Sequence, residues 1–368
     1  VSSFWRCAHG CAYKGPVINP FELPARIFLY VALMLLVGLP TGLATTVLPV
    51  LRRANIDARP VYAHARCWLA VASALLIAGA VAMFVAQLVP LELEYTTLSE
   101  WMDFVWLSLL GQMLMVRVGL GLAAVLAVWL LPAPNTRHIA CVVVGLLAQA
   151  TITRTSHTTA MANGWLPVAS DYAHLAAGAL WGGGLVAVWV ALWVWQRHST
   201  DAGSVPITRG LIQRFAPVGI AGVALATGTG LVLSAQHVPS ADALRAGGYG
   251  AILLIKVGVV AASTALAGLH RFVTRQRLRT ETDVRRFVRT LSLEMALVCG
   301  VFVCAAALTS TPPPHRMMTH AMEDGTTMVM EMTNPEFERS LQIAALAAIV
   351  AGGIALVLEW RLRSTQHT

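Results

Sequence analysis

Apolar and polar positions alternate along this chain on a long wavelength. Runs of mostly apolar residues recur, divided by short polar segments rich in arginine. An α-helix needs about 20 apolar residues to cross the hydrocarbon core of a bilayer. Nine segments approach or meet that length: 27–50, 66–89, 108–131, 138–153, 169–195, 211–234, 249–270, 288–308 and 341–359. The fourth is the shortest, so eight spans is the alternative count. Residues 97–107 (TLSEWMDFVWL) read as an interfacial stretch, with Trp101 and Trp106 suited to the headgroup level. The pattern predicts an all-α fold, a polytopic transmembrane helix bundle with no soluble domain of any size. The first apolar run is long enough to span rather than to be cleaved, so no signal peptide is expected.

Composition and charge sharpen that picture. Hydrophobic residues make up 57% of the 368 and charged residues 12%, against about 25% charged in a soluble domain. The net charge of +8 comes from basic residues in short loops, where they orient a membrane protein. No basic patch is interleaved with aromatics, so nucleic acid is not an expected partner. With the N-terminus outside, seventeen of the 26 Lys and Arg fall on inside segments and seven on outside segments. The acidic stretch with Glu92, Glu94, Glu100 and Asp103 also lands outside. The expected topology is therefore N-terminus outside, C-terminus inside. It divides the chain into an outer segment 1–26, three spans with the interfacial stretch over 27–137, a membrane core over 138–308, an outer loop over 309–340, and a last span with a cytoplasmic tail over 341–368.

Sidedness makes methionine informative. Of thirteen methionines, twelve fall at or toward the outer side and only Met295 toward the inner. Methionine is an adaptable core filler, but that role does not explain the asymmetry or the methionines of a polar loop. Thioether sulfur is a soft ligand that selects Cu(I), and it serves in an oxidising compartment where thiols are lost to disulfides. The outer loop reads MMTHAMEDGTTMVMEMT from Met317 to Thr333. Met318, His320 and Met322 alternate, as do Met328, Met330 and Met332, and strand geometry puts alternate residues on one face. Asp324-Gly325 marks a turn between them. A two-residue turn places the two triplets on opposite faces. A three-residue turn with a bulge pairs Met322 with Met328, His320 with Met330 and Met318 with Met332, which builds one sulfur-rich face. Both registers stay open from sequence. The preceding Pro312-Pro313-Pro314 should hold the loop clear of the eighth span. Met113 and Met115, in the outer half of the third span, join the candidate copper ligands.

A second constellation follows the fourth span: Ser156-His157, Trp165-x-Pro167, Asp171-x-x-His174 and Trp181-Gly182-Gly183. Asp171, His174, Gly178 and Trp181 share one helical face. Ionisable groups inside a span are costly and face a cavity or a partner. The pair reads either as a hydrogen bond that steadies the start of the fifth span or, with His157, as metal ligands in which Asp171 orients His174 and fixes its tautomer. Arg117, Lys256 and Glu294 are further intramembrane charges and candidate steps of a polar path. Lys256 and Glu294 should differ in depth by about 10 Å, which makes Arg117 the better partner for Glu294. Six cysteines show no CxxC pair or zinc spacing. Cys7 and Cys11 flank His9, with disulfide, copper ligation and no role all open, and Cys299 and Cys304 read as small apolar fillers.

The order SH (156–157), WxP (165–167), DxxH (171–174) and WGG (181–183), then RFAPVGIAGVALATGTGLVL (214–233), GGYGAILLIKVGVVAASTALAGLHR (247–271) and RTLSLEMALVCGVFVCAAALTSTPP (289–313), resembles the CopD family of copper-resistance and copper-uptake membrane proteins. The likeness covers about 140–315 well and the first three spans more loosely. It makes 138–308 a CopD-like core and implies a multi-pass copper transporter of the bacterial inner membrane. Such a protein takes copper from periplasmic carrier proteins toward the cytoplasm. By that resemblance His157, Asp171 and His174 map onto the family's polar positions, and Lys256 and Glu294 onto its intramembrane charges. No carrier domain is fused in this sequence, and the Met-rich loop departs from the family pattern. The expected cargo is copper, Cu(I) favoured with Cu(II) as the alternative. Competing readings are a non-transporting copper-delivery protein for a cuproenzyme and a haem-bearing electron carrier. No nucleophile–base pair, phosphate loop or HExxH is present, so no enzyme is expected.

Overall fold

The computed structural model describes residues 21–88, 97–156, 159, 164–198, 204–238, 240–245, 247–311, 317–321, 327–331 and 335–364. Among the described residues the longer helices follow in order: α1 (Glu22–Arg53), α2 (Arg59–Leu88), α3 (Leu98–Leu107), α4 (Leu109–Leu130), α5 (Pro134–Arg154), α6 (Trp165–His198), α7 (Ser204–His237), α8 (Gly248–Arg277), α9 (Glu281–Thr309) and α10 (Pro335–Ser364). All except α3 and α10 are long and apolar enough throughout to cross a membrane, eight candidate spans among the described residues. The predicted fourth span is a full 21-residue helix, α5. The predicted ninth lies within the 30-residue α10, whose described apolar stretch, Arg339–Ile354, is shorter than the other eight. The protein is a multi-pass membrane protein.

Local chemistry sets the breaks between helices. Thr97 and Glu100 form a reciprocal capping box at the start of α3, and Thr280 with Asp283 does the same for α9. Ser108 accepts from the Gly111 amide at 3.0 Å, which starts α4 directly after α3. Proline sits at the first position of α5, where its missing N–H costs nothing. The long α1 contains Pro40 and Pro49 and stays continuous, because π-turns at Met34–Gly38 and Leu43–Val47 precede them. The extra residue in each turn re-spaces the carbonyls that a proline ring would otherwise meet.

The core sits between α1 and α6, each of which packs against several neighbours. They cross at small residues. A Cβ on Gly38 would overlap the Ala179 carbonyl, and one on Gly183 would overlap the Met34 carbonyl. Only glycine lets the two backbones approach this closely, the usual way to gain van der Waals contact where lipid supplies no hydrophobic drive. Around this pair α2, α4 and α5 complete one side, α7 packs on α6 and α10, and α8 pairs with α9. Leu122, Leu126 and Leu130 of α4 and Leu254, Ile255 and Val257 of α8 face outward. Such apolar surface fits hydrocarbon, where helices keep every backbone group satisfied.

The two ends of the bundle differ. The arginines at the C-terminal ends of α1, α6 and α8 and the N-terminal ends of α2, α5, α7 and α9 share one end. There the Arg197 guanidinium lies 3.8 Å from the Trp193 ring centre and that of Arg66 4.5 Å from Trp129. The opposite end holds a cavity. Beyond α9 the chain forms a two-stranded antiparallel ribbon, β1 (Met317–Ala321) and β2 (Thr327–Glu331).

Candidate functional site

The cavity measures about 340 Å³. It draws on the N-terminal halves of α1, α4, α6 and α8 and the C-terminal halves of α2, α5, α7 and α9. Antiparallel connection brings all eight ends to the same side. The polar lining includes Tyr30, Gln87, Arg117, Asp171, His174, Ser234, His237 and Lys256. Asp171, His174, Gly178 and Trp181 all face it, as their spacing on one helical face requires.

His174 is held so that one definite ring nitrogen anchors it and the other faces the cavity and Lys256. Its Nδ1 lies 2.9 Å from the Ala226 carbonyl oxygen and 3.2 Å from Thr229 Oγ1. A carbonyl only accepts, so Nδ1 carries the proton and donates it. The lone pair is therefore on Nε2, which lies 3.5 Å from the Lys256 ammonium. Thr229 gives its own proton to the Leu225 carbonyl at 2.6 Å, which leaves its oxygen to accept. Gly230 completes the seat: a Cβ there would come within 3.1 Å of His174 Cε1. A histidine anchored through one nitrogen by a backbone carbonyl, with the other aimed into a cavity, has the usual arrangement of a metal-ligating imidazole.

This corrects the expected role of Asp171. The carbonyl of Ala226 orients His174, whereas Asp171 neighbours the hydroxyls of Ser156 and Thr153 and has Oδ2 buried without a hydrogen-bond partner. The sequence treated Thr229, Gly230 and the α7 backbone as part of an apolar span. Their signal was the TGTG run at 227–230, where hydroxyls and missing side chains interrupt the hydrophobic surface. Met83 and His237 also line the cavity and were not among the expected site residues.

The pairing expected for Glu294 is also corrected. Arg117 Nε donates to Thr151 Oγ1 at 2.9 Å, and Nη2 reaches the Thr151 carbonyl at 2.8 Å and Thr155 Oγ1 at 2.7 Å. Glu294 instead meets His270, Oε2 to Nδ1 at 2.8 Å, and His270 Nε2 lies 2.9 Å from Thr290 Oγ1. Both side chains are at most 6% exposed. Glu294 does not line the cavity, so the charges expected along one path fall into two clusters. Met113 and Met115 are half-buried on α4 and do not line it either. Among the described residues no three His, Cys, Asp or Glu side chains gather at metal-binding spacing.

The ribbon takes neither of the two registers expected from the turn. Met318 pairs with Met330 and His320 with Met328. The shift from the three-residue-turn register is two residues, an even number, so these four positions still share one face of the ribbon. His157, Met322 and Met332 lie outside the described residues.

Fold and cavity thus define a multi-pass membrane protein with a mainly apolar chamber, set with a few polar and charged side chains, at the end of the bundle opposite its arginine-rich loops. Two family models match it in turn: Copper resistance protein D-like, N-terminal domain, over residues 21–168, and Copper resistance protein D over 209–308. The chain belongs to the copper resistance protein D family. It is similar to the Copper transport protein CutJ of Bacillus subtilis, 27% identical over 185 residues, 49% of this chain and 32% of that protein. The match thus spans about a third of the curated relative's length. The structure of bd oxidase from Geobacillus thermodenitrificans superposes with a TM-score of 0.51 at 11% identity, covering 94% of this chain and 99% of that one. A likeness at that identity concerns the fold alone.

Proposed function

We propose that this chain carries copper across the bacterial inner membrane, from the periplasm toward the cytoplasm, without catalysing a reaction. The observation that carries the reading is His174, fixed by the Ala226 carbonyl so that Nε2 points into the cavity. Imidazole nitrogen and thioether sulfur are both good copper donors. In this reading the cavity end is extracytoplasmic, as the arginines at the other end favour. The Met318–Met330 and His320–Met328 face of the ribbon captures Cu(I), delivered free or by a periplasmic carrier protein. Met83 and His174 take it inside the bundle, and Arg117, Asp171 and Lys256 set the charge along its way. Family membership and the printed activity of the relative support copper as the cargo.

Radiocopper uptake into proteoliposomes tests this. Native protein should exceed empty vesicles, and His174→Ala should reduce uptake at least tenfold. His157→Ala and replacement of 318–332 should reduce it less. Equal flux in all four proteins removes the site assignment, and flux equal to empty vesicles removes transport.

A specific observation favours one second reading. The cavity occupies one end of the bundle, and the buried His270–Glu294 pair lies toward the other without lining it. A copper-delivery protein needs a site but no continuous path. It would bind copper with the same ligands and give no vesicle uptake.

A further inference from the structure

A neutral imidazole offers one ring lone pair, and at His174 a cation of the chain already meets it. The Nδ1 proton goes to the Ala226 carbonyl, so Nε2 is the acceptor, and the Lys256 ammonium on α8 lies 3.5 Å from it. A protonated Nε2 there would set two like charges side by side in a low-dielectric setting. A cuprous ion binds imidazole through the same lone pair, so metal and lysine exclude one another at Nε2. An ammonium displaced inside a membrane span needs another acceptor, because an unpaired charge there is costly. Asp171 is the one carboxylate among the described residues that line the cavity, and it interacts electrostatically with Lys256. Its Oδ2 is buried and has no hydrogen-bond partner among the described residues. Asp171 and His174 stand three residues apart on one face of α6, about 4.5 Å along the helix axis. The flexible four-carbon stem of lysine suits a step of that size. Cys304 on α9 also interacts with Lys256, but a thiol is a weak acceptor. His237 on α7 interacts with Asp171 and, as imidazole, supplies no negative charge.

We infer that Lys256 is a built-in competitor for the copper site: its ammonium holds the His174 Nε2 lone pair when no metal is bound, and it passes to Asp171 when a cuprous ion takes that lone pair. The inference rests on the copper reading of His174 above, and it gives Lys256 and Asp171 one joint task. No proton is transferred in the exchange. One N–H···N contact is traded for an N–H···O contact to a carboxylate, and one bond from Nε2 to copper forms. The charge-assisted pairing with Asp171 offsets part of the repulsion between the lysine and the incoming ion. The exchange also runs backward. Return of the ammonium to Nε2 helps to expel the ion, so the site binds copper without trapping it. Loss of Lys256 should therefore tighten binding and slow passage together.

Competition with a Cu(I) chelator, on the full chain in detergent, tests the exchange. Lys256→Met should bind Cu(I) at least tenfold more tightly than the native chain, since no charge-assisted hydrogen bond has to break first. Lys256→Gln, uncharged but still a donor, should tighten binding less, and it carries the test if the Met variant does not fold. Asp171→Asn should weaken binding about tenfold, because the displaced ammonium loses its charged acceptor. Lys256→Met combined with Asp171→Asn should bind within about threefold of Lys256→Met alone, since Asp171 acts on copper through the lysine. Adding His174→Ala to Lys256→Met should remove the gain. In proteoliposomes Lys256→Met should lower both the half-saturating copper concentration and the maximal uptake rate, whereas loss of a lysine that only braced α8 would weaken binding. Folded Lys256 variants that bind Cu(I) no more tightly than the native chain overturn the inference. So does an Asp171→Asn loss that persists in full without the lysine. Equal Cu(I) affinity in the native chain and His174→Ala removes the copper reading and the exchange with it. Tighter binding by Lys256→Met, with no uptake by any of the proteins, supports the exchange and removes transport.

Discussion

Two polar clusters lie inside this bundle, and they are built from similar residues to opposite effect. At one end His174 sits among Lys256, Asp171 and Thr229 around open space. Toward the other, His270 sits between Glu294 and Thr290, with the Phe287 ring 4.9 Å away edge-on. The second cluster uses both imidazole nitrogens within α8 and α9, which ties the two helices together. The first uses one nitrogen for anchoring on α7 and turns the other toward a cavity, where Lys256 meets it at 3.5 Å. An ionisable residue in a membrane span therefore says little by its presence. What matters is whether it is enclosed between two helices or faces open space.

The contrast can be broken at several points. The largest effect should come from Glu294→Ala. Removing one partner of a buried pair costs about 3 kcal/mol, so the melting temperature in detergent should drop by several degrees. Copper uptake per folded molecule should change less than twofold. Loss of uptake in a protein that still melts normally would make Glu294 part of the path and erase the distinction. Next comes His174→Ala, which should lower uptake at least tenfold, about 1.4 kcal/mol, with a smaller melting shift than Glu294→Ala.

Finer changes sharpen the same comparison. Gly230→Ala presses a methyl against His174 Cε1, within 3.1 Å. Copper affinity, measured by competition with a Cu(I) chelator, should fall about fivefold, close to 1 kcal/mol and typical of a modest packing change. Thr229→Val removes the secondary acceptor of His174 Nδ1 and keeps the Ala226 carbonyl. One neutral hydrogen bond contributes about 0.5–1.5 kcal/mol, and the shared one here belongs at the low end. Affinity should fall about twofold. A loss larger than that of Gly230→Ala would mean that Thr229, rather than the carbonyl, sets the tautomer.

The sequence by itself determined the membrane character, the long helices and the end of the bundle that carries the arginines. These follow from hydrophobicity summed over 20-residue windows and from the charge of short loops, which no tertiary contact overrides. It also determined that Asp171, His174, Gly178 and Trp181 share a face, because helical periodicity fixes that locally. Only the tertiary structure decided who meets that face. The Ala226 carbonyl, not Asp171, anchors His174, and His270, not Arg117, meets Glu294. Such pairings join residues distant in the chain. They depend on how closely helices approach, which at the α1–α6 crossing is set by glycines at 38 and 183. Ribbon register was undecided for a related reason. The parity that puts Met318, His320, Met328 and Met330 on one face depends on how many residues the turn takes up, and Asp324-Gly325 is compatible with more than one number.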